Sequence, residues 1–406
     1  MRNKADVLVI GGGASGLTAA IAAKEANPRA DVVIAERLSR VGKKILATGN
    51  GRCNLGNTDI KRDRFHGSVA NVTDILNGTP SAADYFASLG VVCVNDDYGR
   101  IYPRSNTATS VLTALRIRLK QLNICELCDF DVKAISNNGC GYTVYGGNFA
   151  VDAGCVIVAA GGSAAPVFGT DGQINGILRD MGHYITPLSP GIAPLAVDRN
   201  NTNGLKGIRA KVNVSAFVDG NKIAEEFGEI QFNDGQLSGI CVFNLSHFWA
   251  KHKQSFRIDV DFAPDFSSKQ LFDLLCNIQH IRYDCIAEEF LTGIFHKNIG
   301  IYLLESLGID ISRSVCEIDP DMLRRLCNRI KSTEFPVIKT SPWSAAQVTC
   351  GGIHGSEVGN DLQSKRCPGI YFAGEILDVN GICGGYNLAW AWASGIWVGR
   401  NAKKVM

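Results

Sequence analysis

Three glycines, Gly11, Gly13 and Gly16, stand between an apolar run, Val7–Ile10, and a helix-forming run, Leu17–Lys24. Glycines at this spacing let a strand turn tightly, let backbone approach an anion, and let a helix pack closely on the strand it follows. With Ala14 and Ser15 between them, they aim the first amides of that helix at a pyrophosphate, and the helix dipole reinforces the attraction. A second apolar run, Val32–Ala35, ends in Glu36. That carboxylate falls about 20 residues beyond Gly16, the interval at which an acid accepts hydrogen bonds from an adenosine ribose and repels a 2′-phosphate. The chemistry indicated is dinucleotide binding, of FAD or NAD and not NADP.

Two further segments choose between these. Thr48-Gly49-Asn50-Gly51-Arg52-Cys53-Asn54 is a glycine-rich loop beyond the second strand, in which Asn50, Arg52 and Asn54 offer hydrogen bonds to a ring or a diphosphate. Near the other end, Gly369–Glu375 reads as a strand carrying Gly374 and Glu375 to its carboxyl edge, where ligands bind in such sheets. Gly384-Gly385-Tyr386-Asn387 and a helix from Leu388 to Val398 follow. A nicotinamide enzyme does not require a distant late strand to complete its site, whereas the longer FAD commonly does. This arrangement resembles the glutathione-reductase-like flavoproteins. The resemblance implies that Glu375 holds the ribityl hydroxyls, and that the start of the last helix (Gly385, Tyr386, Asn387, Leu388) faces the flavin pyrimidine.

The combination is narrower still. The loop Thr48–Asn54, Ala159-Ala160-Gly161-Gly162, Gln347-Val348-Thr349 with Gly351-Gly352, and Gly374–Asp378 with Gly384–Leu388 together resemble the BaiN/YhiN family of FAD-dependent oxidoreductases. Two stretches depart from the family pattern, Asn380-Gly381-Ile382-Cys383 and Asn233-Asp234-Gly235-Gln236, both in regions expected to face substrate. The resemblance implies NAD(P)H as a transient electron donor and the C=C bond of a 3-oxo-Δ4 bile acid or similar ketone as acceptor. Another branch implies an aminoacetone-type oxidase using oxygen, and a third possibility is a flavoprotein without catalysis that assists RNA modification. No second G-x-G-x-x-G occurs, so a nicotinamide donor would share the cleft with the substrate, giving ping-pong kinetics. Arg37, Lys44 and Cys53 complete the candidate cofactor set.

For proton transfer the candidates are Tyr386, at a helix start, and His354, just beyond Gly351-Gly352. Cys53 has no partner cysteine four or five residues away, so packing is a better reading than a thiol–flavin relay. Cys125 and Cys128 have C-x-x-C spacing but sit in a strand-like stretch and not at a helix start. The seven histidines show no metal-ligand spacing, and His247 and His252 lack an acidic companion. No metal is expected.

These residues need an α/β scaffold to position them: a Rossmann-like FAD-binding domain interrupted by an insertion. Ser110–Lys120 reads as a helix, Ile124–Ser136 and Gly141–Asp152 as strands, and Cys155–Ala159 as a buried strand. Thr170-Asp171-Gly172 is placed to cap a helix running to Met181. From Lys211 to Phe232 the pattern is hairpins with turns at Asp219-Gly220 and Asp234-Gly235; from Phe266 to Lys331 it is helical. The expected organisation is a discontinuous FAD-binding domain, 1–190 with 345–406, a β-rich substrate subdomain, 191–265 with 332–344, and a helical lid, 266–331. The chain has 406 residues with 44 glycines, about 11% against an ordinary ~7%. Forty-one basic and 39 acidic residues give a formal charge of +2 with no basic block, which argues against a nucleic-acid partner. Asp6 and the three glycines interrupt the apolar amino-terminal run, so it reads as strand, turn and helix. It is neither a signal nor a membrane span, and a cytoplasmic protein with its 14 cysteines reduced is expected.

Overall fold

The computed structural model describes residues 3–147, 149–249, 252 and 255–403. It divides into two compact units, residues 1–191 with 346–406 and residues 192–345.

In the first unit, β1 (Lys4–Ile10) is buried over its apolar half, Val7–Ile10. Such a continuous apolar run suits a strand covered on both faces. It pairs in parallel with β2 (Val32–Ala35), Val7 opposite Val32 and Ile10 opposite Ala35. On its other side it pairs in parallel with the strand Phe149–Val158, Ile10 opposite Val158. The crossover between β1 and β2 is α1 (Ala14–Ala26), buried from Ser15 to Ala23. The late strand Ile370–Phe372 joins the same sheet, parallel to Val156–Val158. Residues 156 and 370 thus become neighbours although the whole second unit lies between them in sequence.

Small residues let the last helix, Tyr386–Asn401, press against α1. A Cβ on Gly395 would fall 2.4 Å from Ser15 O, and one on Gly399 would fall 2.4 Å from Ala19 O. Ser15 and Ala19 lie on one face of α1, so its amino terminus is gripped by the carboxyl-terminal part of the chain.

Some boundaries differ from the sequence reading. The stretch 124–136 is two strands, Cys125–Leu127 and Val132–Asn137, because Asp129 adopts a left-handed conformation (φ 57°) that no strand continues through. The stretch 141–152 turns at Gly147 (φ 58°), so Tyr142–Gly146 and Phe149–Val158 form an antiparallel hairpin. Asp152 and Cys155 therefore share one continuous strand. The helix after Thr170 spans Ile174–Asp180, and Asp171 accepts from Gln173 N just ahead of it. Among the described residues the cysteines form no disulfide.

The second unit is a closed six-stranded barrel with helices. Its strands run in the order Leu195–Val197, Gln236–Ser238, Asn221–Asn233, Arg209–Val218, Phe256–Asp261 and Thr333–Thr340, the last pairing back to the first. The expected hairpin turn at Asp219-Gly220 has both residues at positive φ, the type I′ geometry that suits strand twist. Closure removes the free sheet edges that separate hairpins would leave. The helical stretch comprises Ser268–Ile281, Lys297–Glu305 and Pro320–Lys331. Leu271, Leu275, Leu303 and Leu326 from these helices share one core with Val214, Ile258 and Phe335 of the barrel. Among the described residues, no helix is long and apolar enough to cross a membrane.

Candidate functional site

The glycine turn sits at the carboxyl end of β1. Gly11 has φ 103°, and a Cβ there would lie 2.5 Å from Ala159 O, so only glycine fits. Its amide donates to Ala35 O at 2.8 Å, tying the turn to β2. A Cβ on Gly16 would lie 1.8 Å from Gly11 O, whereas one on Gly13 meets nothing within 4 Å. Gly13 therefore borders open space at the cap of α1, which has no side-chain cap. The first intrahelical bond shown is Leu17 N to Gly13 O. The amides of Ala14, Ser15 and Gly16 precede it, a ready anion site. Beside them Glu36, 9% exposed, accepts from Gly12 N at 2.7 Å and from Leu38 N at 2.8 Å. Each carboxylate oxygen keeps a lone pair for a further donor.

The late strand ends against this turn. Ser15 Oγ donates to Ala373 O at 3.3 Å. Gly374 has φ 77°, and a Cβ there would fall 2.4 Å from Ser15 Oγ. The last helix fixes the same residue from behind: Gly374 N donates to Ser394 Oγ at 2.9 Å and Gly374 O accepts from Trp390 Nε1 at 3.1 Å. Glu375 is then held on both oxygens, by Lys44 Nζ at 3.0 Å and by Thr349 N at 2.7 Å. Gly161, just after Ala160 and the long strand, comes within 4.0 Å of Glu375 Oε2, measured from its ideal Cβ position. Thr349 Oγ1 accepts from Ser163 N (2.7 Å) and Ala164 N (3.1 Å), which ties that loop to Glu375. Sequence reasoning quoted Thr349 as part of a motif but gave its side chain no role. Nothing local signals a partner almost two hundred residues away.

The loop Thr48–Asn54 runs through left-handed backbone at Gly49, Asn50, Gly51 and Cys53. Thr48 Oγ1 donates to Ile45 O and Thr48 O accepts from Cys53 N, closing the loop on itself. Asn50 and Gly51 are exposed; Arg52 lays its guanidinium 4.5 Å from the centre of the Tyr102 ring. Cys53 is fully buried, and burial pushes its thiol up to about 11. Burial of this kind disfavours the thiolate. The Asn54 amide joins this loop to the last helix, accepting from Gly385 N at 3.1 Å and donating to Gly56 O at 2.8 Å and Ile101 O at 3.2 Å. Asn387 brackets Gly381, accepting from its N–H and donating to its carbonyl, each at 2.8 Å. Its side chain is thereby committed to the backbone, leaving the first-turn amides of Tyr386, Asn387 and Leu388 ahead of the bond from Ala389 N to Gly385 O. Tyr386 is buried edge-on to Phe65, with ring centres 5.7 Å apart. Burial raises its phenol above the usual range, and the nearby Arg64 cation partly opposes this.

Two further candidates are engaged with other partners. Arg37 forms an ion pair with Asp171 at 2.7 Å and donates to Gly169 O at 3.2 Å. The Asp171 hydrogen bond is the main cause of its raised pKa. His354 Nδ1 accepts from Ser356 N at 3.2 Å, and its ring tilts against Tyr184 at 5.4 Å. That histidine caps a short turn.

A parallel β1–α1–β2 unit with a glycine turn, an acid at the end of β2 and a second acid on a returning strand defines a Rossmann-type protein. The HI0933-like protein Rossmann domain family matches residues 5–401. The chain belongs to that family, in agreement with the motif resemblance. It is 37% identical over 402 residues to the 3-dehydro-bile acid delta(4,6)-reductase of Clostridium scindens, covering 97% of this chain and 98% of that protein. It is 21% identical over 393 residues to the ribosomal RNA dihydrouridine synthase of Escherichia coli, covering 96% of each. Among solved structures, the 3-ketosteroid delta1-dehydrogenase from Sterolibacterium denitrificans shares the fold with a TM-score of 0.55 at 12% identity, over 98% of this chain and 99% of that one.

Proposed function

We propose that the chain is an FAD-dependent oxidoreductase that uses NAD(P)H to reduce the C=C bond of a 3-oxo-Δ4 bile acid or a similar conjugated ketone in the cytoplasm. The observation that carries the reading is the contact of Ser15 with Ala373 and Gly374, which sets Glu375 beside the glycine turn. A dinucleotide with a polyhydroxyl group at each end of its diphosphate matches two carboxylates flanking one anion site. The open space at Gly13 and the uncapped start of α1 fit the diphosphate itself. The 37% identity to the Clostridium scindens reductase supports the choice of acceptor.

Each residue then has a defined task. The amides of Ala14–Gly16 bind the diphosphate, Glu36 accepts from the adenosine ribose, and Glu375 accepts from the ribityl chain. The first turn of the last helix presents amides and a positive dipole end to the pyrimidine edge. The side chains of Asn54 and Asn387 fix Gly385 and Gly381, and with them the direction of that turn. FAD, when bound, supplies the hydride chemistry. Tyr386, held protonated by burial, donates a proton to the carbon next to the reduced one.

The test is anaerobic. The purified protein should be yellow and should bleach with NADH or NADPH. It should then reoxidise rapidly with a 3-oxo-Δ4 bile acid and slowly with oxygen. Fast reoxidation by oxygen with aminoacetone turnover would replace this reading with an oxidase. Turnover of uridine in ribosomal RNA would move the substrate to the chemistry named for the Escherichia coli relative. A colourless protein that takes up no added FAD sinks the reading altogether.

A further inference from the structure

Lys44 and Glu375 pair at 3.0 Å from opposite ends of the first unit's sequence, with side chains only 24% and 22% exposed. Lys44 is also tied down at its base. Gly42 N, at the start of its short helix Lys43–Ala47, donates to Gly12 O of the glycine turn at 2.8 Å. Its ammonium makes a second bond, to Ala164 O at 3.3 Å. Glu375 lies on a three-residue turn, Gly374–Ile376, where a carboxylate would otherwise rotate freely. Thr349 N holds one oxygen and Lys44 the other, so the remaining lone pairs point in a fixed direction.

We infer that Lys44 is a positioning residue: it orients and charge-balances Glu375 for the ribityl hydroxyls and does not serve mainly as a phosphate ligand. Two of its three N–H donors are already engaged, and the anion site at α1 is built from backbone amides and does not need its charge. The inference rests on the FAD reading above. It makes the first glycine turn and the late strand interdependent in binding, since Lys44 rides on one and Glu375 on the other.

The experiment is a double-mutant cycle on FAD affinity of the apoprotein, read by flavin fluorescence, with Lys44→Met, Glu375→Gln, the double variant and Lys44→Arg. Circular dichroism checks folding of each. Losing one partner of a mostly buried, hydrogen-bonded pair should weaken FAD about tenfold in Lys44→Met. Lys44→Arg, which keeps the charge and the donors, should recover to within about threefold. In the Glu375→Gln background the added loss from Lys44→Met should shrink to less than about twofold. Equal losses in both backgrounds mean that Lys44 acts on the cofactor directly, and overturn the inference while leaving the FAD reading intact. An unchanged affinity in Lys44→Met overturns it too. Failure of the wild-type protein to bind FAD overturns both.

Discussion

Gly13 and Gly16 offer a sharp separation of binding from stability, because a methyl group at each meets opposite surroundings. At Gly13 the backbone is extended (φ −83°, ψ −166°), which any residue adopts, and a Cβ has nothing within 4 Å. Alanine there gains about 0.4–1 kcal/mol from a less flexible unfolded chain. It loses a similar amount as a poorer helix cap. The apoprotein of Gly13→Ala should thus keep its stability within about 1 kcal/mol, a few degrees or less in Tm. Its FAD affinity should fall by about 10²-fold, since the methyl would stand where the diphosphate must approach. At Gly16 the Cβ would sit 1.8 Å from Gly11 O, some 1.5 Å inside ordinary contact. Gly16→Ala must push α1 off the turn, an overpacking cost of roughly 1–3 kcal/mol. The assay is urea unfolding of both apoproteins with FAD titration by fluorescence. A Gly13→Ala protein that binds FAD normally would refute the placement of the diphosphate. One destabilised by more than about 2 kcal/mol would refute the open space.

Glu36→Ala removes the acceptor for Gly12 N and Leu38 N, so it should lower FAD retention during gel filtration and loosen the apoprotein together; full occupancy counts against the adenosine pose. Tyr386→Phe should leave flavin reduction by NAD(P)H unchanged while slowing reoxidation by the enone about 10²-fold, resolved by stopped-flow of the two half-reactions; equal oxidative rates exclude Tyr386 as the acid. Thr349→Val leaves Ser163 N and Ala164 N without their acceptor, at a cost of about 2–3 kcal/mol in urea unfolding; a neutral substitution means that another acceptor replaces it. Cys53 titrates near 9 when free and at about 11 in the fold. A raised pKa means that the native state holds its proton more tightly, so its contribution is complete below pH 9 and is lost as the pH rises to about 11. The wild-type protein should therefore lose about 2–3 kcal/mol relative to Cys53→Ala across that window, and parallel stability curves would refute it.

What was legible in the sequence is what one strand and its following turn encode by themselves. Gly11, Gly13, Gly16 and Glu36 are recognisable because their spacing reflects local geometry, the reach of one βαβ unit. Glu375 was legible for a different reason: a short strand ending in an acid before a glycine-rich helix start is itself a local pattern. The partners of these residues were not legible. Lys44 meets Glu375, Thr349 meets Ser163 and Ser15 meets Gly374 only because Ile370–Phe372 inserts beside Val156–Val158, and no periodicity encodes which strands become neighbours. The boundaries missed at Asp129 and Gly147 have a different, local cause, a single left-handed residue at each that ends the strand. The blindness to strand neighbours also explains the barrel, since hairpins are written locally and closure is not. The roles of Asn54, Asn387 and Thr349 follow from this. Asn54 and Asn387 read as ligands in sequence, yet both, like Thr349, are hydrogen-bonded to backbone N–H or C=O groups at the sharp turns. A site built from so many tight turns must divide its polar residues between holding its own backbone and holding a ligand. Glu36 and Glu375 can do both because a carboxylate keeps acceptor capacity after two hydrogen bonds.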